Sequence, residues 1–186
     1  IERITARNLQ EKRVVRFVVA STLHQLDPLM CAFFGAHRVY LSTSIDGPQE
    51  LHDRNRPTPS SDAWKRTVAG VEMARTLIHP AVVAALMTTT RESLGCPDDI
   101  VDTYVALGFR EIFIRPLSPY GFARRAEKRV GYSVPEFTAF YEKAFERVLY
   151  WNERGYDLRE VSASIALNKM LSPFDAGFVD LQTPTG

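Results

Sequence analysis

Strand-like apolar segments alternate with helix-like segments along the first 118 residues of the chain. The strand-like segments are 13–21, 38–45, 81–90 and 111–118, and the helix-like segments between them are 26–37, 61–78 and 97–109. Near-continuous apolar strands separated by helices are typical of a parallel sheet that is covered by helices. The alternation therefore predicts an α/β fold with parallel strands. Ser61 or Asp62 is the expected N-cap of the helix over 61–78.

The pattern changes after residue 118. A basic, glycine-containing loop over 119–133 leads to a long helix, 134–156, and then to a second helical stretch, 158–171. The long helix carries a mostly aromatic stripe, which consists of Phe137, Phe140, Tyr141, Ala144, Val148 and Trp151. Side chains at this spacing are usually core residues, so we predict that the stripe packs against the sheet or barrel formed by the preceding segments.

Composition excludes several classes of function. The net charge of the 186 residues is +1, and 24% of them are charged. Nothing in this balance points to nucleic acid or to a membrane surface, and no apolar run approaches the roughly 20 residues that span a bilayer. The two cysteines, Cys31 and Cys96, fit no disulfide framework and no zinc-binding spacing. We therefore expect a cytoplasmic protein that binds neither nucleic acid nor membrane.

Three of the predicted strands become polar at their C-terminal ends, which read STSID, TTTR and RPLSPYG. Ligands of parallel α/β sheets and barrels bind at that edge. Alternation along the second strand predicts that Tyr40, Ser42, Ser44 and Asp46 share one face of the sheet. The short polar side chains either bond to one another and to nearby backbone, or they bind a polar ligand over the sheet.

The loop after Asp46 combines turn formers with charged groups. Gly47 adopts backbone angles that other residues avoid, and Pro48 fixes the exit direction of the chain. The planar fork of Arg56 suits a carboxylate, to which it donates two parallel hydrogen bonds. A solvated arginine in a surface loop is the alternative.

At this point the sequence resembles a known family. The segment STSIDGPQELHDRNRP (42–57) is similar to the fourth-strand region of radical S-adenosylmethionine (SAM) enzymes, in particular anaerobic sulfatase-maturating enzymes and their peptide- and protein-modifying relatives. The segment LMTTTRESLGCPDDIVDTYVALGFREIFIRPLSPYGFA (86–123) resembles the His-Xaa-Ser system radical SAM maturases more closely. The resemblance runs from about Val14 to Gly186. It implies part of a partial (β/α)6 TIM-like barrel, followed by C-terminal helices, with SAM at the C-terminal ends of the strands.

The resemblance also implies roles for individual residues. Ser44 matches a serine that contacts SAM, Arg56 an arginine that reaches the SAM carboxylate, and Leu117 a leucine that packs on the adenine. Asp46 belongs to the same cofactor site. We expect Asp46 and His52 to shape the loop more than to touch the ligand. No catalytic residue is assigned.

The chain departs from the family in two respects, and the larger is the absence of the CxxxCxxC motif. Three closely spaced thiolates are needed to hold a 4Fe–4S cluster, and neither cysteine of this chain replaces them, so no metal ligand is predicted here. The glycine-rich segment that orients the SAM amino group is also missing. We therefore expect an internal fragment that is inactive alone. Residues 1–133 would form the central and C-terminal part of the barrel, and 134–186 a helical extension towards a missing auxiliary-cluster region.

For the intact enzyme the resemblance implies reductive cleavage of SAM by a 4Fe–4S cluster, with an external electron donor. The resulting 5′-deoxyadenosyl radical would abstract hydrogen from a peptide or protein substrate. The basic residues Arg124, Arg125, Lys128 and Arg129 either hold an acidic peptide or form a solvated loop. Residues 88–91 at the strand-end rim either touch the substrate or SAM, or cap their own loop.

Two other functions remain open. One is a cluster-free barrel that binds a peptide or nucleotide without catalysis. The other is a (β/α) hydrolase or isomerase, for which the sequence offers no convergent acid–base set beyond Asp46 and His52.

Overall fold

The structure of the chain is a computed structural model that describes residues 1–118 and 126–172. The chain divides into two compact units, Ile1–Leu86 and Met87–Gly186, which are described separately. These units are defined by contacts within the chain and not by function. The predicted boundary between a barrel region, 1–133, and a helical extension, 134–186, stays a prediction.

The first unit is built on a parallel three-stranded sheet in the order β1-β2-β3. The strands are β1, Phe17–Ala20, β2, Val39–Ser44, and β3, Val83–Leu86. Ser44, the last residue of β2, lies opposite Leu86, the last residue of β3. The predicted α/β class with parallel strands is confirmed, although each strand is shorter than the apolar segment that predicted it.

The helices of the first unit are α1, Glu2–Gln10, α2, Pro28–Ala36, α3, Gln49–Asn55, and α4, Ala63–Leu77. Helix α2 begins with Pro28 at its first position, and the carboxylate of Asp27 accepts the amide hydrogen of Met30 at 2.7 Å. This is the usual chemistry of a helix start. Helix α3 was not predicted and occupies the segment that the sequence suggested as a rigid loop.

Burial along β2 follows the predicted alternation. Val39, Leu41 and Thr43 are buried, whereas Tyr40 is 47% exposed and Ser44 is half-buried. The buried residues lie on one face of the sheet, and the polar residues on the other face keep access to solvent. Ser42 and Ser44 therefore lie at a surface that is open to a ligand, whereas Asp46, predicted for the same face, follows the strand and is buried.

Helix α4 packs very closely on the loop that follows β1. A Cβ atom added at Gly70 would lie 2.6 Å from the Cβ atom of Leu23 and 2.7 Å from its carbonyl oxygen. Only glycine allows this approach of helix and loop.

The second unit contains short strands and several helices. Its elements are a 3₁₀ helix, Arg91–Gly95, α5, Pro97–Ala106, β4, Glu111–Ile112, α6, Glu127–Val130, α7, Val134–Glu153, β5, Arg159–Glu160, and α8, Val161–Leu171. Strands β4 and β5 pair in parallel, with Ile112 opposite Glu160. The predicted strand 111–118 is thus regular over two residues, the predicted loop contains α6, and the predicted helix from 158 begins three residues later.

The aromatic stripe of α7 packs chiefly on α5. Phe140, Ala144 and Val148 are buried, and the other members of the stripe are half-buried. A polar cluster joins the two helices at the edge of this core, where Arg147 donates two hydrogen bonds of 2.7 Å to the carboxylate of Asp102. Burial raises the pKa of Asp102, but its hydrogen bonds with Arg147 and with the Trp151 indole outweigh burial and hold that pKa below its ordinary value.

Within the described ranges, none of the helices is both long enough and apolar enough to cross a bilayer.

Candidate functional site

The predicted site lies where β2 passes into α3. Ile45 and Asp46 follow the strand and are fully buried, with Asp46 only 1% exposed. Gly47 has a φ angle of +134°, a conformation that side chains other than hydrogen disfavour. Pro48 then leads directly into the first turn of α3. The chain therefore changes from strand to helix at once and leaves the Asp46 carboxylate at the junction.

Asp46 and Arg56 form a bidentate ion pair. The Nε atom of Arg56 donates to Oδ2 of Asp46 at 2.8 Å, and its Nη2 atom donates to Oδ1 at 3.0 Å. The carboxylate is buried, whereas the side chain of Arg56 is 31% exposed. Two parallel, charge-assisted hydrogen bonds fix the plane of the guanidinium group as well as its position. The fork that the sequence suggested for a ligand carboxylate is thus bonded to a carboxylate of the protein, and contact of Arg56 with SAM stays a prediction.

His52 holds the backbone of the same junction. The amide N–H of Asp46 donates to its Nδ1 atom at 3.3 Å, and the ring is completely buried. Since Nδ1 accepts a hydrogen bond, the proton of the neutral ring lies on Nε2, which has no hydrogen-bond partner in the described part of the chain. Burial lowers the pKa of His52 and keeps the ring uncharged.

The Asp53 side chain supplies a hydrogen-bond acceptor to the start of α4. Its carboxylate accepts the amide hydrogen of Trp64, in the first turn of α4, at 2.7 Å. Asp62 occupies the N-cap position, but its side chain accepts hydrogen bonds from Ser60 and Thr58 and not from the helix. The prediction that Ser61 or Asp62 is the N-cap of this helix is confirmed for Asp62, although the Asp62 side chain makes no hydrogen bond to the helix. Asp53, eleven positions before Trp64, supplies the side-chain acceptor instead, which no local pattern indicates.

The predicted cofactor-site residues are distributed over both units. Asp46 and Arg56 are brought into contact, and Ser44, half-buried at the end of β2, precedes Asp46 by two residues. Leu117 belongs to the second unit, where its backbone N–H donates to the hydroxyl oxygen of Tyr132 at 2.6 Å. The role of Leu117 against an adenine ring stays a prediction.

Among the strand-end residues 88–91, the side chains of Thr88 and Thr90 bond to neighbouring residues. Thr90 and Ser93 form a capping box at the start of the 3₁₀ helix. The hydroxyl oxygen of Thr88 accepts a hydrogen bond of 3.2 Å from Arg115. These contacts agree with the self-capping alternative. Of the basic segment, Arg124 and Arg125 lie outside the described residues, and Lys128 and Arg129 are exposed on α6.

The described residues do not fit an iron–sulfur cluster. Cys31 is buried in α2, and Cys96 belongs to the other unit, at the start of α5. Within residues 1–118 and 126–172, no three His, Cys, Asp or Glu side chains come together as a metal site. A 4Fe–4S cluster needs three thiolates at one place, which two cysteines do not provide.

Because His52 is buried in its neutral form, the stability of the first unit should fall with pH below the ordinary histidine pKa of about 6.5. Unfolding exposes the ring, which then takes up a proton more readily than in the folded state. The free energy of unfolding therefore keeps its full value above that pH. It decreases by at most about 1.4 kcal/mol per pH unit as the pH falls towards the lower pKa of the folded state. Urea unfolding between pH 8 and pH 5 measures this slope.

The matched variants are His52→Gln and His79→Gln, since His79 is exposed. The first should flatten the slope and the second should leave it unchanged. Equal slopes in all three proteins would contradict the assignment of this pH dependence to His52.

Comparisons with known proteins bear on the fold. No protein-family model and no curated protein matches the chain. Among solved structures, native anSMEcpe with bound AdoMet, an anaerobic sulfatase-maturating enzyme, matches with a TM-score of 0.75 at 16% sequence identity, over 91% of this chain and 47% of that chain. The same protein with AdoMet and a Kp18Cys peptide gives 0.77 at 14% identity, over 89% and 46%. With AdoMet and a Cp18Cys peptide it gives 0.75 at 14% identity, over 94% and 49%.

The chain thus spans about half the length of the solved chains that it matches. At this level of identity the likeness concerns the fold. It confirms at that level the resemblance to sulfatase-maturating enzymes seen in the sequence, and the chain has the fold of part of the partial, TIM-like barrel of radical SAM enzymes.

Proposed function

We propose that this chain carries part of the SAM-binding site of a radical SAM enzyme that modifies a peptide or protein side chain. The single observation that carries the proposal is the Asp46–Arg56 junction, which places a partly exposed guanidinium group beside the C-terminal end of β2. Ligands of such folds bind at this edge of the sheet. The matched structures contain AdoMet, and two of them also contain a peptide.

The donor groups at the junction suit the amino-acid end of SAM. Two of the five N–H groups of Arg56 are bonded to Asp46, and three remain outside that pair of bonds. A guanidinium N–H and the hydroxyl group of Ser44 are suitable donors to a ligand carboxylate. The ion pair carries no net charge, which suits a ligand whose carboxylate is balanced by its own cationic groups. Leu117 is the proposed apolar contact of the adenine.

In the whole protein, SAM bound beside a reduced 4Fe–4S cluster would supply a 5′-deoxyadenosyl radical for hydrogen abstraction. The residues of this chain would bind and orient SAM and exclude water from it, while the cluster would be held by cysteines that are not among these 186 residues. An external electron donor and a peptide or protein substrate complete the proposed reaction, which is that of a maturase.

The second candidate is a cluster-free barrel that binds a peptide or nucleotide without catalysis. The observation that favours it is the lack of a cluster ligand set within residues 1–118 and 126–172. Under this alternative the complete protein would bind its ligand but would form no 5′-deoxyadenosine from SAM after anaerobic reconstitution and reduction.

Equilibrium dialysis of the 186-residue chain with radiolabelled SAM tests the binding proposal. The chain should bind SAM, and Ser44→Ala and Arg56→Lys should each weaken binding by about tenfold, the effect of one charge-assisted hydrogen bond. Arg54→Lys is the control, because Arg54 is exposed on α3, two residues before Arg56, and should not affect the affinity. If the folded chain fails to bind SAM, or if Ser44→Ala and Arg56→Lys bind it as tightly as the unaltered chain, the proposal is wrong.

A further inference from the structure

The ion pair with Asp46 determines which N–H groups of Arg56 are available to bind a ligand. A guanidinium group offers two bidentate edges, Nε with one Nη and the pair of Nη atoms. The edge formed by Nε and Nη2 is bonded to the carboxylate of Asp46. A ligand carboxylate can therefore be recognised through Nη1 and the second N–H of Nη2 while the ion pair stays intact.

Asp46 is itself held from two sides. Its backbone N–H is bonded to Nδ1 of the buried His52, and its carboxylate is bonded to Arg56. His52 and Arg56 are one helical turn apart, and the amide of Arg56 donates to the carbonyl oxygen of His52 at 2.9 Å. The same turn of backbone thus carries both partners of Asp46, and the positive φ angle of Gly47 allows the chain to enter α3 directly. This arrangement leaves the guanidinium plane little freedom.

We propose that Asp46 is a positioning residue, which fixes the Nε edge of Arg56 so that its outer edge faces the carboxylate of SAM. The inference rests on the proposed function, and it adds that recognition of the ligand carboxylate depends on a buried residue that does not touch the ligand. Asp46 thereby determines specificity for an amino-acid carboxylate over the same ligand without one.

Two effects of removing the Asp46 charge oppose each other. Asp46→Asn removes a negative charge beside Arg56, which would strengthen attraction to any anion. It also replaces one acceptor oxygen by an amide group, so the bidentate bond is lost and the arginine side chain regains its rotational freedom. Because Arg56 is 31% exposed, solvent screens the first effect. Geometry should therefore dominate, and the variant should recognise the carboxylate less well.

The test compares SAM with decarboxylated SAM, which lacks the carboxylate group alone. Isothermal titration of the full chain should show that the unaltered protein prefers SAM by about tenfold or more, the effect of a charge-assisted bond. In Asp46→Asn this preference should shrink to less than about threefold, while the affinity for decarboxylated SAM stays unchanged. If Asp46→Asn only damaged the structure, the variant would bind SAM and decarboxylated SAM more weakly by the same factor.

Asp102→Asn is the matched control, because Arg147 makes the same bidentate contact with Asp102 in the second unit. This variant should keep the preference for SAM. An Asp46→Asn protein that keeps the preference, or binds SAM more tightly, would overturn the positioning role and leave the proposed function standing. If the unaltered chain binds neither ligand, both the proposed function and the positioning role of Asp46 are wrong.

A second measurement decides the case even if Asp46→Asn does not fold. In the unaltered protein, the Arg56 Nε–Hε signal in a ¹⁵N NMR spectrum, assigned by its loss in Arg56→Lys, should exchange slowly with water. It should keep its shift when SAM is added, while the Nη signals move. Displacement of the Nε–Hε signal by SAM would show that the ligand competes with Asp46 for the same edge, and would overturn the inference.

Discussion

Replacing Arg56 with alanine is expected to destabilise the first unit by about 3 kcal/mol, since breaking a buried ion pair leaves an uncompensated charge. The carboxylate of Asp46 is 1% exposed and loses two charge-assisted hydrogen bonds. We take the lower end of the usual range, because the 31% exposed Arg56 side chain allows water to reach part of the site. Hydrogen exchange of peptides that cover 39–56, followed by mass spectrometry, measures the loss within this unit.

Arg54→Ala provides the control, because Arg54 lies on α3, two residues before Arg56, and is exposed. It should change the exchange of these peptides little. The double variant Asp46→Asn with Arg56→Ala should be more stable than Arg56→Ala alone, since the isolated charge is then gone. An Arg56→Ala protein as stable as Arg54→Ala would show that the ion pair does not stabilise the junction. Rigid positioning of Arg56 by Asp46 would then be unsupported.

The features that could be predicted from the sequence are those set by neighbouring residues. The alternation of buried and open positions along β2 follows from the two-residue period of a strand, and it correctly separated Thr43 from Ser44. The sharp turn at Gly47 follows from the conformational freedom of glycine. The solved structures also agree with the fold that the motifs around Asp46 and Leu117 implied.

Contacts between distant residues could not be predicted in this way. The geometry of Arg56 indicated a carboxylate, but the sequence did not show that Asp46, ten residues earlier, would supply one. Helix α3 was missed because its seven residues are largely polar and carry no apolar stripe. The predicted strand after Glu111 is regular over only two residues, and its pairing depends on β5, 48 residues further along the chain.

Glu160 makes such contacts with distant residues in the second unit. Glu160→Gln is expected to destabilise this unit by about 2–3 kcal/mol. The carboxylate is buried and accepts three hydrogen bonds, from the amides of Ile114 at 3.2 Å and Ala163 at 2.6 Å and from the Tyr141 hydroxyl at 2.7 Å. Glutamine has nearly the same shape, but one carboxylate oxygen is replaced by an NH₂ group. This group is itself a donor and cannot accept a hydrogen bond from Ile114, Ala163 or Tyr141. A buried N–H or O–H group then loses its acceptor.

Fluorine NMR of protein labelled with 5-fluorotryptophan can assign this loss to the second unit. The chain has two tryptophans, Trp64 in the first unit and Trp151 in the second, so each unit has its own signal. In a urea titration of Glu160→Gln, the Trp151 signal should report unfolding at lower urea than in the unaltered protein. Glu111→Gln is the control, because Glu111 lies on the paired strand but is exposed, and it should leave this transition nearly unchanged. Equal transitions for the two variants would mean that water replaces the lost acceptor, and that the hydrogen bonds of Glu160 do not stabilise the second unit.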